Sequence, residues 1–448
     1  MAARFLKFMT GFSAHFHCYR KDISDKARQY LSGLMQAGGR KNMLHMAEVV
    51  PDADNRKLQQ FLTHSKWSHR DVMDQAAQQA NQRIGDSHKA CLLIDESGFG
   101  KQGKKSVGVA RQWLGRLGKV DNGQVGVYGV LCKGKMSTLI DCRLYLPKEW
   151  TNDPERCLEA GVPKEEIEFR TKDELAMEII EHARQSGIQY GWVGADAGYG
   201  KSPKVFYRLE EIKQTYFIDI PSDFSVYLED PHPHPPKAAQ PSVQAKGYQT
   251  EKKSQQACQL EDLKKSNLWQ EIKVRDTTRG KLKVRAWRQA VYVWDGHSAQ
   301  ALRVTLLISE NLDGEERKYT LTNAPETWTL VQMVYAQRQR YWVERAFEDA
   351  KGQCGMADYQ VQKWFAWHHH MALVMMAMLF MLEERVVQKE EHPLLSCKDI
   401  EVLLATFLPR RDVDQAEVLM QMRQRHRLRQ QAIESHARAQ KRREKEDG

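Results

Sequence analysis

The sequence predicts a mixed α/β protein with helical regions at both ends. Short apolar runs that end in an acid and a glycine-containing turn occur at 90–100 and 190–200, which is typical of buried strands. Helical periodicities precede, separate and follow these runs, and further strand-like runs lie between 281 and 325. Because strands here alternate with helices, we expect a sheet packed against helices.

The amino-terminal part, residues 1–86, is predicted to be a small all-α domain. Apolar residues recur at helical spacing in 24–36, where Ser24 is a candidate N-cap, and again in 55–65. Turn-like segments separate these helices.

The first part of the α/β core is predicted over residues 87–222. Its expected elements are, in order, a strand at 90–100, one or two hairpins at 124–147, a helix at 171–187, a strand at 190–200, a helix at 205–214 and a strand at 215–221.

Residues 223–325 are predicted to be a linker followed by a β-rich insertion. The stretch 222–265 is rich in proline and polar residues, which indicates a linker or a mobile excursion. Strands are expected at 281–294, 302–310 and 318–325, with a hairpin turn at 311–316. Helices then complete the core over 326–390, and a helical basic tail occupies 391–448.

Composition narrows the class of protein. Of 448 residues, 41% are hydrophobic and 28% charged, which excludes a wholly disordered chain. Lysine and arginine outnumber the acids by 68 to 58, and the net charge of +10 favours a polyanion such as nucleic acid, or an anionic membrane surface. The longest apolar run, 371–382, is shorter than the roughly 20 residues of a spanning helix, so we expect a buried helix and no membrane insertion.

The cysteines and the first residues favour a cytoplasmic location. The eight cysteines are scattered without a CxxC pair, so reduced thiols are expected, with neither a zinc site nor a disulfide framework. The first residues lack the apolar stretch and cleavage site of a secretory signal.

Two aspartates are candidates for metal chemistry. Asp95 and Asp196 each follow a short apolar strand and precede glycine, and ligands gather at the carboxyl ends of strands in α/β sheets. Carboxylates placed there could share Mg²⁺, which prefers oxygen ligands. The alternative is that both are ordinary turn residues, which aspartate often is at strand ends.

A third candidate acid lies on the helix predicted around 337–353. Arg340, Glu344, Glu348 and Lys351 are spaced so that they line one face of this helix. The same pattern also fits a solvated stripe of ion pairs.

Several long motifs resemble bacterial DDE transposases, specifically the insertion-sequence seven-oh-one family. They are "LLIDESGFGKQGKKSVGVARQWLGRLGKVDNGQVGV", "RLYLPKEWTNDPERC", "GWVGADAGYG" and "RYWVERAFEDAKGQCGMADYQVQKWFAWHHHMAL". The resemblance covers about residues 5 to 390. It implies an RNase H-like catalytic core interrupted by the β-rich insertion, with catalytic and metal-binding acids Asp95, Asp196 and Glu344.

The resemblance also implies a reaction and its partners. Three carboxylates would hold two Mg²⁺ about 3.5–4 Å apart, with Mn²⁺ as a substitute, and cut one DNA strand at each element end. The freed 3′-OH would then attack a second phosphodiester. The implied partners are double-stranded DNA, as terminal inverted repeats and target, and a second copy of the chain on paired ends. The implied location is the bacterial nucleoid.

Hairpin-forming relatives carry a Tyr–Arg–Glu–Lys signature on this helix. Arg340, Glu344 and Lys351 match its last three positions, whereas Gln337 stands where the tyrosine is expected. Glu348 is the competing choice for the third acid.

Basic residues supply candidate DNA contacts. Arg340 and Lys351 would hold backbone phosphates, and Lys101, Lys104 and Lys105 could do likewise or form only a solvated loop. Contacts to the terminal repeats would come mainly from the amino-terminal helices, where the candidates are Arg40, Lys41, Arg56 and Lys57. The tail either binds DNA non-specifically or only adds solubility.

The sequence leaves two rival functions open. One is a DNA-binding regulator that keeps the fold without catalysis, and the other is an RNase H-like nuclease that does not transpose.

Overall fold

The structure, a computed structural model, describes residues 1–18, 21–235, 248–263, 268–277 and 280–446. Part of the predicted linker, 236–247 and 264–267, and the last two residues of the predicted tail lie outside the described residues.

The helices and strands follow in chain order. The helices are α1 Ala2–Gly11, α2 Ser24–Gln36, α3 Met43–Val49, α4 Asn55–Thr63, α5 His69–Ile84, α6 Lys148–Thr151, α7 Pro154–Glu159, α8 Lys172–Gln185, α9 Pro203–Glu211, α10 Leu330–Arg338, α11 Tyr341–Gly352, α12 Trp364–Val387, α13 Cys397–Phe407 and α14 Gln415–Glu446. The strands are β1 His17–Cys18, β2 Lys21–Asp22, β3 Asp86–Gly100, β4 Ala110–Leu114, β5 Lys119–Lys133, β6 Met136–Leu144, β7 Tyr190–Ala195, β8 Tyr216–Ile220, β9 Ser225–Val226, β10 Gln255–Gln256, β11 Gln270–Thr277, β12 Gly280–Val293, β13 Leu302–Asn311 and β14 Arg317–Thr322.

One mixed sheet of ten strands organises the molecule, in the order β11-β12-β13-β14-β8-β7-β3-β5-β4, with β6 paired to β5. Strands β3, β7 and β8 are parallel, and their neighbours on both sides are antiparallel. The predicted mixed α/β class is confirmed, and the arrangement is consistent with an RNase H-like core. Two strands of this sheet, β4 and β11, were not predicted. In β11, charged residues mask the apolar positions Ile272 and Val274.

The predicted β-rich insertion extends the core sheet directly. Its strand β14 pairs antiparallel with core strand β8, and Leu321 lies opposite Ile218 in that pair. The hairpin turn predicted at 311–316 is present between β13 and β14, with Gly314 at a φ of +77°. The insertion therefore adds four strands to one edge of the core.

Helix α12 is the apolar centre on which the amino-terminal helices pack. The ring nitrogens of His369 lie 2.7 and 2.9 Å from the backbone oxygens of Leu62 and Trp67, and His370 lies 2.8 Å from the Tyr30 hydroxyl. Among the described helices, α12 is the one long and apolar enough to cross a membrane, yet 94% of its most apolar window is buried. That burial is typical of a core helix, as the sequence predicts for 371–382.

Two expectations about helix ends were wrong. Ser24 is the first residue of α2 and not its N-cap, because the Asp22 carboxylate accepts hydrogen bonds from both its amide and its hydroxyl. The face predicted as one continuous helix around 337–353 is interrupted, since α10 ends at Arg338 and Arg340 is the N-cap of α11.

We expect Leu321→Ala to destabilise the protein, because Leu321 is fully buried on the strand that joins the insertion to the core. Truncating a buried leucine costs about 2–5 kcal/mol of unfolding free energy. Urea unfolding would measure the loss. Leu312→Ala, at a turn residue 47% exposed, is the control, and equal losses in both variants would contradict the assignment.

Candidate active site

Strand register aligns three aspartates at one edge of the parallel part of the sheet. Ile94 pairs with Ala195 across β3 and β7, and Ala195 pairs with Ile218 across β7 and β8. The next residue after each of these is an aspartate, so Asp95, Asp196 and Asp219 form a row across three neighbouring strands. The sequence pattern indicates the first two but not Asp219, because no glycine turn follows Asp219.

A tight turn after β7 fixes the second aspartate. The Asp196 backbone oxygen accepts hydrogen bonds from the amides of Tyr199 and Gly200, and its carboxylate accepts one from the Gly198 amide at 2.8 Å. A Cβ atom at residue 200 would lie 2.0 Å from the backbone oxygen of Asp219. Only glycine therefore allows this turn to pack on β8.

Arg340 connects the row to helix α11. Its guanidinium lies 3.8 Å from the Asp95 carboxylate and 3.4 Å from that of Asp219. It also donates a 3.1 Å hydrogen bond to Glu344, one helical turn along. The Arg340 side chain is only 18% exposed, so these ion pairs lie in a largely desolvated place.

The two candidates for the third acid differ in their surroundings. Glu344 shares Arg340 with Asp95, and its side chain is 57% exposed at the open side of the cluster. Glu348 instead pairs with Arg345 on α11 and is 66% exposed. Glu344, and not Glu348, is thus linked to the aspartates, through Arg340.

Arg340 does not fully neutralise the negative charge of the neighbouring acids. Burial, and next the negative charge of Asp196, raise the pKa of Asp95 to about 7, although Arg340 opposes the shift. Burial also raises the pKa of Asp219. The hydroxyl of Tyr199 is buried without a hydrogen-bond partner among the described residues, and burial together with Glu96, Asp95 and Asp196 raises its pKa.

This donor set fits a divalent cation. The candidate ligands are all carboxylate oxygens, which suit Mg²⁺ or Mn²⁺. A cation would stabilise the ionised form of Asp95, which burial and the charge of Asp196 disfavour. Within the described residues, no group of three or more metal-ligating side chains is already gathered to bind an ion. The aspartate row is joined to Glu344 through Arg340, which pairs with both Asp95 and Glu344.

A hydrogen-bonded layer behind the aspartates explains the departure at Gln337. This side chain is buried, accepts a hydrogen bond from Ser309 at 2.6 Å and donates one to Thr320 at 2.7 Å. Thr320 in turn donates to the Asp219 carboxylate. Gln337 therefore faces the sheet, where its amide supports Asp219 through Thr320.

The predicted basic contacts occupy different environments. Lys351 lies 5.8 Å from the ring of Phe99, and Lys104 and Lys105 are exposed. Lys101 packs 3.4 Å from the centre of the Tyr359 ring and donates to the Tyr359 backbone oxygen, and burial lowers its pKa to about 8.

Lys41, one of the candidate DNA contacts in the amino-terminal part, is not accessible to DNA. Lys41 is buried and bonded to the backbone of Leu34 and Gln353 and to Glu401. Arg56 and Lys57 are exposed on α4, and Arg40 is exposed as well. The expectation that Lys41 contacts DNA was wrong, because its ammonium group neutralises a carboxylate inside the fold.

Two comparisons with known proteins bear on this site. A family model described as DDE superfamily endonuclease matches residues 7–290, a range that contains Asp95 and Asp196 but ends before Glu344. A protein of Microchaete diplosiphon described as a probable transposase for insertion sequence element IS701 is 32% identical over 232 residues. The match covers 51% of this chain and 57% of the relative, so the chain spans little more than half of that protein.

We expect ionisation of Asp95 to lower the free energy of unfolding of the metal-free protein as pH rises. Between about pH 4 and pH 7 the folded protein keeps a proton that the unfolded chain releases, so stability falls by up to about 1.4 kcal/mol per pH unit. Asp95→Asn should therefore gain stability relative to wild type between pH 5 and pH 8, measured by urea unfolding in EDTA. Asp313→Asn, on an exposed turn, is the control. A difference between Asp95→Asn and wild type that does not change with pH would exclude this shift.

Proposed function

Since this chain belongs to the DDE superfamily endonucleases, we propose that it is a DNA transposase that cuts at insertion-sequence ends and joins the freed 3′-OH to target DNA. The observation that supports the proposal is the pair Asp95 and Asp196 in register at the carboxyl edge of the sheet, with Glu344 and Asp95 sharing Arg340 as an ion-pair partner. The similarity to a probable transposase supports the same activity.

In this proposal the three acids are the metal-binding and catalytic residues. Asp95, Asp196 and Glu344 would hold two Mg²⁺, with Mn²⁺ as a substitute. When bound, the metal ions supply an activated nucleophile and stabilise the leaving oxygen of the phosphodiester. The protein's own contribution is to fix Asp95 and Asp196 at the ends of neighbouring strands and Glu344 on α11, so that little reorganisation is needed.

The basic residues position the DNA backbone. Arg340 offsets the negative charge at the acids and would hold a phosphate close to them, which lowers the repulsion between the cluster and DNA. Lys351 would contact the backbone further along α11, and Lys101, Lys104 and Lys105 beyond the end of β3. We propose that two copies act together on paired ends, in the bacterial cytoplasm at the nucleoid.

Asp219 is proposed as a positioning residue for Arg340. Its carboxylate receives the Thr320 hydroxyl on one oxygen and faces the Arg340 Nε with the other, so it limits where the guanidinium can lie. In this proposal Asp219 thereby orients Arg340, which contacts the DNA.

We expect cleavage of DNA carrying the terminal repeats to require Mg²⁺ and to be lost in Glu344→Gln, which removes a charge but keeps the shape. DNA binding by this variant should persist, since phosphate contacts do not depend on Glu344. Gel assays of binding and cleavage on one substrate would measure both, with Glu348→Gln as the matched variant.

The outcomes separate the candidates. Cutting by Glu344→Gln at the wild-type rate would make Glu348 the third acid. Binding without cutting by wild type, even in Mn²⁺, would favour the regulator. Cutting that ignores the repeats and joins nothing would favour the non-transposing nuclease.

We expect Asp219→Asn to slow cleavage by roughly 10- to 100-fold, the usual effect of removing a group that orients an active-site side chain. DNA affinity should change little, because Arg340 keeps its charge. Thr320→Ser retains the hydroxyl that donates to Asp219 and is the control. If Asp219→Asn cuts as fast as wild type, Asp219 has no positioning role.

A further inference from the structure

A basic pocket lies beyond the far end of β3, away from the acids. It has a volume of about 330 Å³, and its lining includes Lys104, Lys105, Arg156, Lys363, Glu159 and Trp150. Four cationic side chains thus face a cavity to which, among the described residues, Glu159 contributes the one carboxylate.

Three segments distant in sequence build this pocket. Arg156 on α7 lies 3.8 Å from the ring centre of buried Trp150 and donates to the backbone oxygen of Lys104 at 2.8 Å. Lys363 donates to the Glu159 backbone oxygen. Arg156 is therefore held in place before any ligand arrives. By contrast, Lys104 and Lys105 are exposed and have no ion-pair partner among the described side chains.

The lining suits an oxygen-rich anion. A guanidinium offers a planar set of donors that matches phosphate, and ammonium groups add charge without demanding geometry. The pocket also adjoins the start of the 24-residue helix α12, whose N-cap is Lys363. The positive end of that helix dipole favours an anion in addition to the side chains.

The pocket is connected to the acids by a line of basic groups. Strand β3 continues past Asp95 to Gly100, about 17 Å at 3.4 Å per residue. Helix α11 runs beside it and brings Lys351 near Phe99, and Lys101 follows against Tyr359. A DNA strand has one phosphate per roughly 3.4 Å, so this distance corresponds to about five nucleotides.

We propose that Lys104, Lys105, Arg156 and Lys363 form a phosphate-binding pocket that holds the DNA backbone at a second point, about five or more nucleotides from the phosphate at the acids. The inference rests on the proposed function and deepens it by adding Arg156 and Lys363 to the binding residues. Its role is to fix the path of the DNA, and it reads no base sequence.

The test is the salt dependence of DNA binding. Lys104→Gln/Lys105→Gln should reduce the slope of log affinity against log salt by about 0.9 for each phosphate that the variant no longer neutralises. The measurement uses full-length protein, a duplex with the terminal repeats, and EDTA to prevent cutting. Lys253→Gln/Lys389→Gln removes two exposed lysines elsewhere and should keep the wild-type slope. Equal slopes in the two double variants would overturn the pocket.

Removing the charge of one DNA phosphate at a time locates the phosphate that the pocket binds. A single methylphosphonate, moved along each strand, should weaken wild-type binding at a position about five or more nucleotides from the cut. The same substitution should cost Lys104→Gln/Lys105→Gln less affinity than it costs wild type, because only Arg156 and Lys363 remain to contact that phosphate. Undiminished sensitivity in that variant would place the bound phosphate elsewhere.

Failure of the pocket and failure of the proposed function look different. If wild type binds and cuts repeat DNA while Lys104→Gln/Lys105→Gln matches its control, the pocket is wrong, and so are the backbone contacts proposed for Lys104 and Lys105. The proposal that the protein is a transposase then still stands. If wild type does not bind DNA at all, both proposals fall.

Discussion

The parallel register of β3, β7 and β8 is the constraint on which the site depends. It places Asp95, Asp196 and Asp219 side by side, at strand separations of roughly 5 Å. Like charges so close are unfavourable in a desolvated place. Arg340 offsets part of this charge, and burial together with Asp196 raises the pKa of Asp95. The sheet thus holds a cluster of carboxylates that favours binding a cation at some cost to its own stability.

The β-rich insertion takes part in this arrangement. Because β14 continues the sheet next to β8, Thr320 can donate to Asp219, and Ser309 on β13 can donate to Gln337. The insertion therefore supplies the layer directly behind the aspartates, and a change in its packing would reach the site through two hydrogen bonds.

Helix α11 is held between the sheet and α12, which explains how an exposed acid can keep a defined place. Val343, Ala346 and Ala350 are buried on its inner face, and Phe347 packs edge-on against Tyr128 of β5. These contacts fix the helix axis, while Glu344 remains on the open side, 57% exposed, where a substrate can approach.

The sequence by itself determined the mixed α/β class and many of the longer elements. Apolar periodicity and strand-ending aspartates are local patterns, and they indicated Asp95 and Asp196 as candidates, the buried run 371–382 and the strands β12, β13 and β14 of the insertion. Only the tertiary structure decided which groups meet. Pairing between strands far apart in the chain recruits Asp219, and the helix break after Arg338 makes Arg340 an N-cap. For polar residues such as Lys41 and Gln337, burial depends on which distant segments pack against them, and the local sequence does not encode that.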